Sequence, residues 1–382
     1  MSDLIYLDYA AATPVDPVVA TAMQPYASER FYNPSATYGA ARQVRDDLEA
    51  ARARVAHWLG ARPAEIVFTA GGTEANNLAI RGVMGGYPEG NMVVSAIEHE
   101  SVLATARAFA CREAPVNPDG VIDVDTLIAL VNDQTVLISV MYANNEVGTI
   151  QPLRKLTAAA EVIRQDRRAK GNQYPLYVHT DAAQAAAYLD LHTARLGVDL
   201  LTVNAGKLYG PKQVGALFVS AGVHLEAQVS GGGQEGGLRS GTENVAGAVG
   251  LATALDLVQS RRADETRRLQ QLQQLFFDRL NAEIPSATVN GSRKHRLPNN
   301  VHITISGQDN ERLIFALDER GILCAAGSAC SASDEEPSHV LRAMGASSAD
   351  AQASLRFTMG AGTTEADVRA VIGALQQLVG SV

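Results

Sequence analysis

Apolar residues along the chain fall into short, near-continuous runs separated by longer segments of helical period. The runs at 66–69, 92–97, 135–142, 176–180, 200–203 and 214–219 are rich in Val, Ile and Leu and too short for helices, so they read as strands. Between and after them, 42–59, 158–169, 242–260 and 263–282 carry the spacing of helices. Strand runs without alternation are those buried on both faces. Strand alternating with helix therefore predicts an α/β fold, a mostly parallel sheet with helices on both sides. Beyond about residue 260 the texture changes to a charged helix, strands at 300–305, 322–324 and 355–359, and helices at 311–320 and 365–379, an α+β unit. At 382 residues, two domains are expected.

The strand ends carry the candidate chemistry. Four successive strands run into His99, into Asn144 and Asn145, into Asp181 and Gln184, and into Lys207. In open α/β sheets that edge is where ligands bind. One histidine there is most often a satisfied structural residue, but polar groups ending four strands on one edge describe a site. A loop lysine is ordinarily solvated. At the end of a buried strand, partial burial would lower the amine pKa of Lys207 and make it a nucleophile toward carbonyls. The strand 66–69 leads through Gly71, Gly72 and Thr73 into a helix, either a simple tight turn or a cradle of N–H groups for an anion. The glycine-rich stretch 230–244 has interspersed Gln, Arg and Thr, which suggest a shaped loop rather than a linker. Thr242 is placed there to cap the next helix and bind an anion.

Composition narrows the picture. A net charge of −9 with dispersed Lys and Arg argues against a nucleic-acid surface. No apolar run reaches roughly 18 residues, so no membrane span is expected. The N-terminus lacks a basic region followed by an apolar stretch, and a cytoplasmic protein is expected. Three cysteines are too few for a disulfide framework, and no metal site is expected. Cys111, in an Ala-rich helical stretch, reads as a buried small hydrophobe. Cys330 sits in a small-residue loop, 325–334, whose expected mobility suits a reactive thiol better than a structural one.

With these residues assembled, the chain resembles the NifS/IscS-type cysteine desulfurases, class V aminotransferase-like enzymes of the fold-type I pyridoxal-phosphate group. The resemblance spans the chain: Tyr6-Leu-Asp-Tyr-Ala-Ala-Ala-Thr, Gly72-Thr-Glu-Ala-Asn-Asn-Leu, Glu98-His99, Asn144-Asn-Glu-Val-Gly, His179-Thr-Asp-Ala-Ala-Gln, Lys207-Leu-Tyr-Gly-Pro-Lys, Arg239-Ser-Gly-Thr, Gly327-Ser-Ala-Cys-Ser and Leu355-Arg-Phe. It implies a large domain over 15–260 with a mostly parallel seven-stranded sheet. It also implies a small α+β domain from 1–14 and 261–382 that carries the cysteine loop. It implies that Lys207 holds pyridoxal 5'-phosphate as a Schiff base, Asp181 pairs with the ring nitrogen, His99 stacks on the ring and moves protons, and Gln184 bonds the ring hydroxyl. Gly72, Thr73 and Asn204 would surround the phosphate, with Thr242 reaching in from the partner of a homodimer. Asn145 would lie near cofactor and substrate, Arg356 would clamp the carboxylate of L-cysteine, and Cys330 would take its sulfur as a persulfide. That persulfide would pass to an acceptor or scaffold protein for iron–sulfur assembly or for tRNA or DNA thiolation. The chain departs from the family pattern at Gly206 and Tyr38, where histidine is usual, at Asn204, usually serine, and at Ala361, commonly arginine. A selenocysteine lyase, another class V aminotransferase-like enzyme and a non-catalytic scaffold of the same fold are the competing readings.

Overall fold

The computed structural model describes residues 4–327 and 337–380. Among them the strands are β1 (Ile5–Tyr6), β2 (Ile66–Thr69), β3 (Asn91–Ser95), β4 (Cys111–Ala114), β5 (Thr135–Ser139), β6 (Tyr177–Asp181), β7 (Leu200–Asn204), β8 (Gly215–Val219), β9 (Ala287–Val289), β10 (Asn300–Ile305), β11 (Ile322–Leu323) and β12 (Ser354–Thr358). The helices are α1 (Pro17–Met23), α2 (Gly39–Leu59), α3 (Gly72–Gly85), α4 (Glu100–Ala106), α5 (Val124–Ala129), α6 (Leu153–Lys170), α7 (Thr193–Leu196), α8 (Val245–Glu283), α9 (Asn310–Asp318), α10 (His339–Ala343), α11 (Ser348–Gln352) and α12 (Glu365–Val379).

Seven strands make one sheet in the order β2-β8-β7-β6-β5-β3-β4. Its pairs are parallel except those of β8, which runs antiparallel to both β7 and β2. The expected α/β architecture is thus present. Val93, Ile138, Val178 and Leu201 face one core with α2, α6 and α8, while Met92, Val94, Leu137 and Leu217 face another with α3 and α4. That two-sided burial explains the unbroken apolar runs in the sequence. A separate core holds Leu7, Leu269, Phe276, Val301, Leu355, Phe357 and Ile372, built on the antiparallel sheet β12-β10-β9 and the parallel pair β1-β11.

Three local expectations are corrected. The helices expected at 242–260 and 263–282 are one 39-residue helix, α8. No Gly or Pro interrupts the chain near 261, so the change in composition marks a change in surroundings. The first half is buried through Ala248, Leu251, Ala252 and Leu255, whereas the second meets the smaller core through Leu269, Leu272 and Phe276. Thr242 does not cap α8; Asn244 does, its Oδ1 accepting the Gly247 N–H at 2.9 Å. Cys111 opens the edge strand β4 instead of lying in a helix, because α4 already stops at Ala106.

The sheet is cross-braced beneath its carboxyl edge by His179 on β6. Its Nδ1 lies 2.8 Å from Ser139 Oγ on β5 and its Nε2 3.1 Å from Thr202 Oγ1 on β7. Burial pushes this imidazole down to about 4 from an ordinary 6.5. As pH falls, the unfolded chain therefore takes up this proton first. Stability from His179 is full above the unfolded value and declines between about pH 6.5 and 4, by about 1.4 kcal/mol per pH unit. Urea midpoints measured through that window should fall less steeply for His179→Gln than for the parent protein. At the head of β8, a Cβ on Gly215 would lie 2.7 Å from the Gly71 carbonyl carbon and 2.8 Å from Val203 O, both backbone atoms. Gly215→Ala should cost about 1–3 kcal/mol in denaturant titration.

Candidate active site

The turn from β2 into α3 forms one wall. Gly71 takes φ +117°, a conformation that favours glycine, and is the N-cap of α3 with no side chain to offer the first-turn N–H groups. Those donors, with the hydroxyl of Thr73, make an opening suited to an anion. Asn204, the last residue of β7, lies opposite, its Nδ2 3.4 Å from where a Cβ on Gly72 would be. Its Oδ1 accepts the Gly206 N–H at 3.1 Å, which fixes the amide.

The floor is set by β6. Asp181 ends that strand, 8% exposed, and its Oδ1 accepts the Ala183 N–H at 2.8 Å. Its Oδ2 accepts from Asn76 Nδ2 at 2.7 Å, and the same nitrogen donates to Ser101 Oγ at 2.9 Å. Ser101 Oγ lies 2.9 Å from His99 Nδ1, which also accepts the Ser101 N–H at 3.1 Å. Because Nδ1 is an acceptor, the neutral ring carries its proton on Nε2. Burial lowers the His99 pKa from its ordinary value, opposed by Asp181, so the neutral form is favoured. A chain of hydrogen bonds thus couples the carboxylate to the histidine through Asn76 and Ser101.

Lys207 closes a single 3-10 turn, Ala205–Lys207, that follows β7. Its Nζ donates to the carbonyls of Ala10 at 2.8 Å and Ala11 at 2.5 Å, and Gln184 Nε2 donates to Ala10 O at 3.0 Å. The N-terminal segment therefore forms the opposite wall. Arg356, on β12 and 1% exposed, enters from the smaller core. Its Nη1 donates to Asn145 O at 2.9 Å and its Nη2 to Asp8 Oδ1 at 2.7 Å.

Gly72, Thr73, His99, Asn145, Asp181, Gln184, Asn204, Lys207 and Arg356 line one cleft. Thr242 is not brought there. It is exposed, on a loop pinned elsewhere by a bidentate Glu235–Arg52 pair at 2.7 and 2.8 Å and by Arg239–Glu74 at 2.9 Å. Cys330 and its expected mobile loop fall outside the described residues, apart from 325–327. Sequence reasoning missed Asn76, Ser101 and the carbonyls of Ala10 and Ala11. Asn76 had a usable signal, lying one helical turn after Gly72 and so on the same face of α3. At Gly206 a Cβ would meet no atom nearer than 3.5 Å, so the position has room for a side chain. Tyr38 is exposed, edge-on to Tyr32, and the Ala361 N–H donates to Tyr209 Oη at 2.9 Å.

The cleft brings together the uncapped first turn of α3, a buried carboxylate, an amine and a guanidinium. The aminotransferase class-V family matches residues 5–371. A cysteine desulfurase IscS of Dictyoglomus turgidum is 38% identical over 98% of this chain and 94% of its own length. Among solved structures, a NifS-like protein superposes with a TM-score of 0.90 at 30% identity, covering 99% of this chain and 100% of that one. A structure described as SspA in complex with cysteine gives a TM-score of 0.79 at 33% identity, covering 93% of this chain and 98% of that one. Fold, cleft and likeness along the whole chain agree: the chain belongs to the aminotransferase class-V family, among the NifS/IscS-type cysteine desulfurases.

Proposed function

We propose that the chain is a pyridoxal-phosphate-dependent cysteine desulfurase that moves sulfur from L-cysteine onto Cys330, leaves L-alanine, and hands the sulfur to an acceptor protein. The observation that carries this reading is the single cleft in which Asp181, Lys207, Arg356 and the uncapped end of α3 converge. Pyridoxal phosphate fits that donor set: a phosphate at Gly72, Thr73 and Asn204, a protonated ring nitrogen against Asp181, a carbonyl at Lys207. When bound, it supplies an electron sink that weakens bonds at the substrate's α- and β-carbons.

The chain's own groups supply the rest. Lys207 would hold the cofactor through its carbonyl, and Asn76, donating to Asp181 Oδ2, would keep that carboxylate in place for the ring nitrogen. Gln184, tied to Ala10 O, lies where a ring hydroxyl would be met. Neutral His99, with its proton on Nε2, would lie beside the bound ring and exchange protons with the substrate. Arg356 binds the substrate carboxylate with its planar fork, and Asn145 holds that guanidinium. Cys330 as thiolate attacks the substrate sulfur: an S–S bond forms, the C–S bond breaks, its electron pair stays on carbon, and a proton there completes alanine. The two described thiols are poor competitors, since burial raises Cys111 to about 11 and Cys324 to about 12. Both are free cysteines, in keeping with a reducing cytoplasm.

The proposed division into a large domain, 15–260, and a small one, 1–14 with 261–382, would cross α8 near its middle. We further assign a homodimer in which exposed Thr242 completes the partner's phosphate site. The Glu235 carboxylate is buried, and the loop it anchors is thereby shaped without reaching its own cleft.

Lys207→Ala should lose the visible–violet absorption band of the purified protein. Cys330→Ser should keep that band and its response to L-cysteine while losing sulfide release; full turnover in Cys330→Ser would remove it as the sulfur acceptor. Thr242→Ala should speed cofactor loss roughly tenfold or more, the worth of a hydrogen bond to a charged group. Co-expressed Lys207→Ala and Thr242→Ala chains should recover one native site per mixed dimer. No recovery would place Thr242 outside the partner's site.

A further inference from the structure

We propose that Thr13 is a positioning residue for Lys207, its hydroxyl clamping the chain on both sides of the lysine so that the amine stands where a cofactor carbonyl can be met. The inference rests on the pyridoxal-phosphate reading above. Lys207 ends the single 3-10 turn that follows β7. Thr13 Oγ1 donates to Gly206 O at 3.1 Å and accepts the Tyr209 N–H at 2.8 Å. The Thr13 N–H donates to the same Gly206 O, also at 3.1 Å. One residue thus holds the carbonyl of the peptide bond into Lys207 and the N–H group two residues after it.

The turn's own bonds leave that task open. Ala205 O accepts the N–H groups of Leu208 at 2.9 Å and Gly210 at 3.0 Å, and Asn204 Oδ1 accepts that of Gly206 at 3.1 Å. These bonds close the turn and tie it to the end of β7. Gly206 has no side chain to pack, and Tyr209 takes φ +59°, a left-handed conformation that a tyrosine disfavours and that must be held from outside. Thr13 is itself well anchored. It is 3% exposed, its carbonyl accepts from Lys212 Nζ at 2.6 Å, and the carbonyl of Ala12 before it accepts from Tyr6 Oη at 2.8 Å. The carbonyls that meet Lys207 Nζ belong to Ala10 and Ala11. Backbone and amine of the lysine are therefore both referred to residues 10–13.

Donating to one group while accepting from another is what a hydroxyl does and a methyl cannot. Without it, Gly206 O would keep the Thr13 N–H, but the Tyr209 N–H would lose this acceptor. Both bonds of the hydroxyl reach backbone groups within two residues of Lys207, so their loss displaces the lysine first.

The test follows formation of the covalent link in the full chain freed of cofactor and then given pyridoxal phosphate. In that step the Lys207 nitrogen adds to the aldehyde carbon, and a C=N bond replaces C=O as water leaves. Thr13→Val should slow this step, read by absorbance, roughly tenfold, as expected for a displaced reacting atom, and Thr13→Ser should restore it. Pyridoxine phosphate, with an alcohol in place of the aldehyde, needs the cleft but not that bond. Its dissociation constant should stay within about twofold in both variants. An unchanged rate in Thr13→Val, a loss that Thr13→Ser shares, or a loss matched by weaker pyridoxine phosphate binding would overturn the proposal. Should Thr13→Val fail to fold, Thr13→Ala, which removes the hydroxyl without adding a methyl, carries the same expectations. If the parent chain forms no C=N bond, the pyridoxal-phosphate reading falls, and acetylation of Lys207 by acetic anhydride, followed by mass spectrometry, decides the positioning role. A rate altered in Thr13→Val and restored in Thr13→Ser upholds the role; a rate unaltered in Thr13→Val, or altered in both, ends it.

Discussion

The backbone of residues 7–13 is the seam on which the site depends. Leu7 belongs to the smaller core, and its carbonyl accepts the Thr358 N–H at 2.7 Å while the Tyr9 N–H donates to Thr358 O at 3.2 Å. A few residues later Ala10 O and Ala11 O hold the lysine amine, and Thr13 binds Gly206 O through both its N–H and its hydroxyl at 3.1 Å. One short segment, running from β1 into a turn at residues 9–11, therefore sets β12, which carries Arg356, against the turn that carries Lys207. Backbone carbonyls suit this task because their positions are fixed by the turn itself, closed by Asp8 O accepting from the N–H groups of Ala11 at 3.0 Å and Ala12 at 3.3 Å, with no side-chain rotamer to spend entropy on.

The same economy governs the floor of the cleft. Asp181 is held by a strand end on one side and by Asn76 on the other, and Asn76 also serves Ser101. The histidine's tautomer is thereby decided by an amide and a hydroxyl more than by the carboxylate directly. Charged groups in the cleft meet fixed dipoles, which stabilise charge in a water-poor site without rearranging when it develops.

Much of this was legible in the sequence where function and periodicity coincide. His99, Asn145, Asp181 and Lys207 follow buried parallel strands, and strand order plus hand of crossover forces their ends to one edge. What could not be read depends on tertiary partners. Ala10 and Ala11 act through carbonyls that any residue would supply. Ser101 matters only because α4 starts beside α3. Thr242 looked like a helix cap because it precedes a helix, but Asn244 stands at the right distance from Gly247. The composition change near 261 resembled a chain break because charge replaced alanine on the surface of α8, although nothing there stops a helix.

That unbroken helix has a mechanical consequence. At 39 residues, α8 spans about 60 Å and is seated in both cores without a joint between them. Turning the smaller core relative to the sheet would mean bending a hydrogen-bonded rod that holds no proline or π-bulge to absorb the strain. Among the described residues the two cores are therefore joined by one continuous strut rather than by a hinge.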